Sequence, residues 1–215
     1  MRISSLSTSL AHSGSDCLTV FVNHNGQILG SAAELDAALV EKLEQVSSSG
    51  LLGSQAGNQL VLPLETSSPN AVLLYRLGKE TISVDKYQES ITKLASSILG
   101  VKTASIAIDL TPMDATDKDA DQLVFDLCTA LHKLSYRFED YKSKKKPKRT
   151  LEEILVGHAD ANEAVDQANA TAAGIALARD LGNMPGNFCT PNYLAERAES
   201  LSNDCLLYTS DAADE

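Results

Sequence analysis

The sequence predicts an α/β protein in which a mixed β-sheet carries helices on both faces. Two kinds of segment in the sequence lead to this fold class. Short apolar runs rich in β-branched residues alternate along the chain with longer segments whose apolar residues recur at helical spacing. This alternation is typical of a sheet whose strands are joined by helices, because such helices cover the faces of the sheet.

Each element rests on a local pattern. Cys17–Val22 is a buried-strand candidate because CLTVFV is apolar and β-branched, and Ala32–Val46 has leucines at helical spacing. The predicted strands are Met1–Ser5 at an edge, Cys17–Val22, Gln59–Leu64, Ala71–Leu77, Ala104–Leu110 and Leu151–Val156. The predicted helices are Ala32–Val46, Asp85–Leu99, Asp121–Phe138 and Asp160–Leu181.

The last of these helices differs from the others because it is rich in alanine and has few large apolar residues. Small residues on most turns favour close packing, so we interpret it as a helix that connects two domains. Gly182 suits a residue just past a helix end, since glycine adopts positive φ without strain. Pro185 stops helix continuation. Thr190 and Pro191 then form an N-cap and first-turn pair that starts another helix.

Composition excludes several classes of protein. The chain has 215 residues, of which 43% are hydrophobic, and its net charge of −11 argues against general attraction to nucleic acid or anionic membranes. No run approaches the roughly 18 apolar residues of a membrane span, and the N-terminus lacks the apolar core of a signal peptide. A cytoplasmic protein without a membrane partner is therefore expected. The four cysteines form no CxxC pair, which argues against a zinc knuckle or a disulfide framework.

An acidic stretch imitates a calcium-binding loop without completing it. The spacing from Asp117 matches the first acidic positions of such a loop, but Gln122 and Cys128 stand where glycine and glutamate are required. A solvated turn and N-cap is the favoured interpretation. The four histidines are scattered, so they predict no metal site.

A basic run is the one candidate contact surface in the sequence. Its six cations could bind DNA phosphates or a protein partner, and they are Lys142, Lys144, Lys145, Lys146, Lys148 and Arg149. Neither interleaved aromatic residues nor a base-reading motif accompanies them. A solvated linker is the preferred interpretation, with a non-catalytic binding module as the alternative.

The stretch AAGIALARDLGNMPGNFCTPNYLAERAESL, from Ala172 to Leu201, resembles the leucyl aminopeptidase (M17) family in the order and spacing of its residues. The matching residues are Ala178, Arg179, Asp180, Leu181, Asn183, Pro185, Asn187, Thr190, Pro191, Tyr193, Leu194, Ala195 and Glu196. AVLLYRLGKE, Ala71–Glu80, is similar to a family strand that ends in a Gly-Lys-Glu turn.

The resemblance implies a macro-domain-like N-terminal α/β domain over 1–157, a linker helix over 158–181 and the start of a truncated peptidase domain over 182–204. It also implies a cytosolic homohexamer that releases N-terminal residues from peptides by two-metal hydrolysis with zinc or manganese. The family's metal ligands lie in motifs beyond this chain, so no catalytic or metal-binding residue is assigned. We therefore expect the chain itself to bind no metal and to be inactive.

The last eleven residues, CLLYTSDAADE over 205–215, break the pattern of the preceding helix. They resemble the translation, in one reading frame, of a transposase adapter used to prepare DNA libraries. We expect this segment not to belong to the natural protein and exclude it from the fold.

Overall fold

The protein, seen as a computed structural model, contains a six-stranded mixed sheet. The structure describes residues 1–66, 68–78, 84–113, 119–144, 147, 149–158 and 161–205, without the side chains of 84, 85 and 202–205. The strands are β1 (Arg2–Ser5), β2 (Cys17–Val22), β3 (Gln59–Pro63), β4 (Ala71–Arg76), β5 (Ser105–Asp109) and β6 (Glu153–Gly157). Their order across the sheet is β1-β6-β5-β2-β4-β3, with only β3 antiparallel to its neighbour.

Helices cover both faces of this sheet, as predicted. The α-helices of the described residues are α1 (Ala37–Ser48), α2 (Val84–Gly100), α3 (Ala120–Ser135), α4 (Asn162–Asn183) and α5 (Pro191–Cys205). Buried side chains of α2, α3 and the first turns of α4 form one core layer with alternate residues of the strands. The buried Leu43 of α1 belongs to a second layer, formed with the intervening strand residues.

Strand β2 joins the two layers. All six of its side chains are buried, and it pairs in parallel with β5 on one side and β4 on the other. Phe21 belongs to one core layer and Val20 to the other. A strand enclosed on both faces needs a nearly continuous apolar run, and CLTVFV supplies one that is interrupted only by Thr19.

Strand β3 forms one edge of the sheet. The Leu64 N–H donates to the Asn70 carbonyl, and the Arg76 N–H donates to the Asn58 carbonyl. The backbone N–H and carbonyl groups of the even-numbered residues of β3 therefore point toward β4. Those of residues 59, 61 and 63 point outward, away from the sheet. Pro63 has no N–H at its outward position, as is common where a proline occurs in an edge strand.

The predicted start of the first helix was wrong. A short 3₁₀ helix occupies Gly30–Glu34, and α1 begins only at Ala37. The reason is Asp36, whose carboxylate accepts hydrogen bonds from the Ala38 and Leu39 N–H groups and so caps a new helix. The leucine spacing does not distinguish one helix from two consecutive ones.

Two predicted helix ends were also wrong. Helix α3 stops at Ser135 because Tyr136 has extended ψ, three residues before the predicted end. Helix α4 continues through Gly182 to Asn183 and ends before Pro185; Gly182 is not among the glycines with positive φ. The start of α5 is confirmed, since the Thr190 hydroxyl accepts from the Tyr193 N–H at 3.3 Å.

The chain divides into two compact units, one of Met1–Arg137 with Lys146–Ala173 and one of Phe138–Lys145 with Gly174–Glu215. The first contains the sheet. In the second, no described residue is buried, and large exposed apolar residues include Tyr141, Ile175, Phe188, Leu194 and Leu201. The expected domain boundaries remain predictions. Of the suspected adapter segment, only the backbone of Cys205 is described, as the last residue of α5; 206–215 lie outside the described residues.

Replacing Asp36 with alanine should lower the free energy of unfolding by about 1 kcal/mol, because α1 loses its N-cap. Urea unfolding measures the loss. Glu34→Ala, at an exposed position just before the cap, is the control and should change stability by less than about 0.5 kcal/mol. If Asp36→Ala stabilised the protein, position 36 would lie inside a helix, as the sequence pattern suggested.

Candidate functional site at the carboxyl edge of the sheet

The carboxyl ends of β2 and β5 form the topological switch point of the sheet. These strands are neighbours, yet β2 leads to α1 on one face and β5 leads to α3 on the other. In open α/β sheets, ligands bind in the crevice outside the carboxyl ends of strands at such a point. A functional site is therefore expected at this edge.

A buried carboxylate lies at this point. Asp109, the last residue of β5, is only 7% exposed and accepts four hydrogen bonds. The N–H groups of Ser31 and Thr111 donate to it at 3.0 Å each. The Thr111 hydroxyl donates at 2.9 Å, and the Ser31 hydroxyl donates to the same carboxylate. Residues from two separate loops thus converge on one side chain.

These hydrogen bonds determine the ionisation of Asp109. Burial by itself raises the pKa of the carboxyl group, because it disfavours the charged form. The hydrogen bonds from Ser31 and Thr111 outweigh burial and bring the pKa below its ordinary value of 3.8. Asp109 is therefore an anion at neutral pH and is stabilised by neutral donors.

The backbone before Ser31 comes unusually close to the loop after β5. Gly30 has φ +67°, and a Cβ built on it would lie 2.5 Å from Cγ of Pro112 and 3.1 Å from Oδ2 of Asp109. Only glycine permits both the left-handed backbone and this approach. The closeness allows Ser31 to reach the carboxylate.

A buried guanidinium fixes the other end of the same loop. Arg76, the last residue of β4, is 4% exposed. Its Nη1 donates to the carbonyls of Asn23 and His24 at 2.7 and 3.0 Å, and its Nη2 donates to the Ser47 carbonyl at 2.8 Å. Ser47 lies in the last turn of α1, where a cation is favourable because the helix dipole is negative there. The loop over 23–31 is thus held at both ends.

No sequence pattern identifies this group of residues. Ser31, Arg76, Asp109 and Thr111 are far apart in the chain and form no motif. One signal was available: Asp109 is a charged residue at the end of the apolar run ASIAID, and the carboxyl end of a parallel strand is where functional residues occur in α/β proteins.

The basic run is only partly described, because Lys145, Lys146 and Lys148 lie outside the described residues. Lys142 forms an ion pair with Glu139 at 3.1 Å, and Lys144 is exposed. Arg149 donates from Nη2 to the Leu134 carbonyl at 3.4 Å. Its pKa is lowered by burial and by the nearby charge of Arg137. A role of this run in DNA or protein binding remains a prediction.

The other candidate groups have structural partners. Asp119 caps α3 by accepting from the Gln122 N–H, as the favoured interpretation of the acidic stretch predicted, while Asp114 and Asp117 lie outside the described residues. His132 Nε2 lies 2.8 Å from Asn169 Oδ1. Cys128 is buried, and burial raises the pKa of its thiol to about 12, as suits a core residue.

The described residues do not fit a metal centre. Among them, no group of three or more His, Cys, Asp or Glu side chains is placed to hold an ion. A polar cleft of about 320 Å³ lies near the start of α3 and α4, with Asp119, Asp121 and Glu163 in its lining. Within the described part of the chain, no helix is both long and apolar enough to cross a membrane.

Gly30→Ala should destabilise the protein more than Gly14→Ala. The two glycines have nearly equal φ values of +67° and +69°, but a Cβ at Gly14 would meet nothing within 4 Å. Both variants incur the left-handed backbone penalty of about 1–2 kcal/mol, and only Gly30→Ala also displaces Pro112, at about 1–3 kcal/mol more. Chemical denaturation measures the free energy of unfolding of each variant. Equal losses in the two variants would contradict the close approach of Gly30 to Pro112.

Asp109→Asn should be less stable than wild type at pH 7 by about 1–3 kcal/mol, because the amide nitrogen that replaces one carboxylate oxygen cannot accept the hydrogen bonds which that oxygen received. The pKa of Asp109 is lowered in the folded state. Its contribution to the free energy of unfolding is therefore fully present above pH 3.8 and is lost as the pH falls through the folded-state pKa. The difference between wild type and variant should therefore shrink in strong acid. Urea titrations across this range measure it, with Asp166→Asn, at an exposed site, as the control for removing one charge; a pH-independent difference would contradict the assignment.

A family profile and individual relatives both indicate the same protein family. Residues 19–145 match the sequence profile of the cytosol aminopeptidase family, N-terminal domain. A probable cytosol aminopeptidase of Burkholderia multivorans is 34% identical in an alignment of 199 residues that covers 88% of this chain and 39% of that protein. One from Paraburkholderia phymatum is 33% identical over 90% of this chain and 40% of that protein.

Solved structures agree on the fold. A mutant of tomato leucine aminopeptidase matches with a TM-score of 0.63 and 20% identity, over 94% of this chain and 42% of that one. The bottromycin maturation enzyme BotP matches with a TM-score of 0.62 and 19% identity, over 90% and 38% of the two chains. The macrodomain of Mycobacterium tuberculosis DarG matches with a TM-score of 0.51 and 14% identity, over 73% of this chain and 98% of its own.

These matches bear out the predicted α/β fold with a macro-domain-like N-terminal part. They do not favour a separate DNA- or protein-binding module, since the curated relatives are named as aminopeptidases. The chain spans about two fifths of the length of these relatives. With a profile match over more than half of its residues and relatives more than 30% identical, this chain belongs to the cytosol aminopeptidase family and includes its N-terminal domain.

Proposed function

We propose that this chain is the N-terminal part of a leucyl-type metalloaminopeptidase that hydrolyses N-terminal residues from peptides. The observation that carries the proposal is the extent of the alignment. Relatives named cytosol aminopeptidase align over 88% of this chain, whereas the family's N-terminal domain profile covers only 19–145. The likeness therefore continues past that domain.

The residues of this chain supply a non-catalytic domain in this proposal. The crevice loop over 23–31 and Asp109 are tied to one another, and no described cluster offers metal ligands. Two divalent ions, zinc or manganese, would activate water and polarise the peptide carbonyl in the intact enzyme. Their ligands would come from the part of the relatives that this chain does not cover.

The second compact unit supports the proposed domain order. It has no buried residue in its described part, and several large apolar side chains are exposed there, including 51% of Phe188 and 43% of Leu194. Exposed apolar surface of this kind is typical of a surface that contacts another part of a protein. We therefore propose that 182–204 begin the peptidase domain and that 158–181 link the two domains.

The remaining features follow from the family and stay proposals. The substrates are peptides with a free amino terminus, the assembly is a homohexamer, and the enzyme acts in the cytoplasm. They are supported by the relatives' designation as cytosol aminopeptidases and by the resemblance of 172–201 to the leucyl aminopeptidases.

The 215-residue chain should show no hydrolysis of leucine p-nitroanilide above the blank in the presence of Mn²⁺, because in this proposal the catalytic groups lie outside it. The full-length Burkholderia multivorans relative, assayed in parallel, should be active. A chimera tests the domain assignment: residues 1–204 of this chain replace the matching part of the relative, and activity should be retained. Turnover by the chain alone, or a folded but inactive chimera, would contradict the proposal.

A further inference from the structure

The loop over 23–31 and Asp109 occupy the place where an α/β sheet of this topology would bind a ligand. The crevice lies outside the carboxyl ends of β2 and β5, and ligands of open α/β sheets bind at such positions. Here Ser31 from the first loop and Thr111 from the second meet on the Asp109 carboxylate within the crevice. The protein's own side chain therefore stands where an external group would be expected.

The four donors around Asp109 form an oxyanion-binding group. Two are backbone N–H groups and two are hydroxyls, from Ser31 and Thr111. Among the described residues, no cation contributes to the ionisation of this carboxylate, so dipoles balance its charge. Converging backbone N–H groups of this kind bind phosphates and other anions in many proteins. The chemistry of the donors thus suits an external oxyanion as well as a carboxylate.

Two contacts keep the crevice closed. Gly30 lies against Pro112 at a distance that leaves no room for a side chain. Arg76 binds the carbonyls of Asn23 and His24 and, through Ser47, joins them to α1. The donors of Ser31 and Thr111 are therefore engaged by the Asp109 carboxylate, and the loop that carries Ser31 is held at both ends.

We propose that Asp109 is an internal substitute for an anionic ligand, so that the switch-point crevice of this domain is occupied by its own carboxylate and excludes phosphate-bearing ligands. Removing the carboxylate leaves a site for a small oxyanion. This inference concerns the N-terminal domain alone and does not rest on the proposed peptidase function.

Chemical rescue tests the proposal. Asp109→Ala removes the carboxylate, and formate has the size and charge of the missing group. The melting temperature of the variant is measured in formate and in chloride at equal ionic strength. Formate at about tenfold over its dissociation constant should raise the melting temperature of Asp109→Ala by about 3–6 °C. Wild type should not respond, because its own carboxylate fills the site.

Matched variants identify the donors. Asp36→Ala also removes a carboxylate that accepts two backbone N–H groups, but at an exposed helix end, so formate should not stabilise it relative to chloride. The double variant Asp109→Ala with Thr111→Val retains both N–H groups and loses one hydroxyl, so its response to formate should be smaller. No formate response in folded Asp109→Ala would overturn the proposal.

A second measurement needs no folded Asp109→Ala. Wild-type chain is titrated with inorganic phosphate and with ADP, and its melting temperature is compared with that in chloride at equal ionic strength. Neither ligand should change it. If either stabilises the wild type but not Gly30→Ala, the crevice admits an external phosphate and the proposal is wrong. Isothermal titration calorimetry of the wild type with ADP measures binding without reference to stability, and it should show no heat of binding.

Discussion

The enclosure of β2 on both faces is the constraint on which the remaining structure depends. Because all six side chains of this strand are buried, each face of the sheet must be covered by helices that bring enough apolar surface. The chain meets this need with α1 on one side and with α2, α3 and the start of α4 on the other. The same division sends the connections after β2 and β5 to opposite faces, which creates the crevice at their carboxyl ends.

Much of the fold could be predicted from the sequence because its strongest signals are local. The apolar run Cys17–Val22 became β2 with unchanged bounds, and the Thr190–Pro191 pair marked the start of α5. Errors occurred where two local signals compete. Leu35 continues the leucine spacing of α1, but the side chain of Asp36 forms a cap and separates it from the helix. Gly182 suits a helix end, yet α4 continues through it until Pro185 prevents further helix.

The candidate site could not be predicted in the same way. Its contacts join residues that are 78 positions apart, as Ser31 and Asp109 are, and no sequence period reports such pairs. Burial of Arg76 is equally hidden, because charged residues are seldom enclosed without a carboxylate partner; here two backbone carbonyls of the loop over 23–31 and one of α1 accept its hydrogen bonds. The family could be inferred from the sequence, by contrast, since the match over Ala172–Leu201 lies in consecutive residues.

The proline at the outer edge of β3 has a consequence for association between copies of this chain. A strand from a second molecule would find outward N–H donors of β3 only at Gln59 and Val61, because Pro63 contributes a carbonyl but no N–H. Two donors define too short a ladder to fix the register of an added strand. At this edge, the molecule is therefore protected against open-ended strand addition of the kind that leads to fibrils, even though Val61 exposes 46% of its surface there.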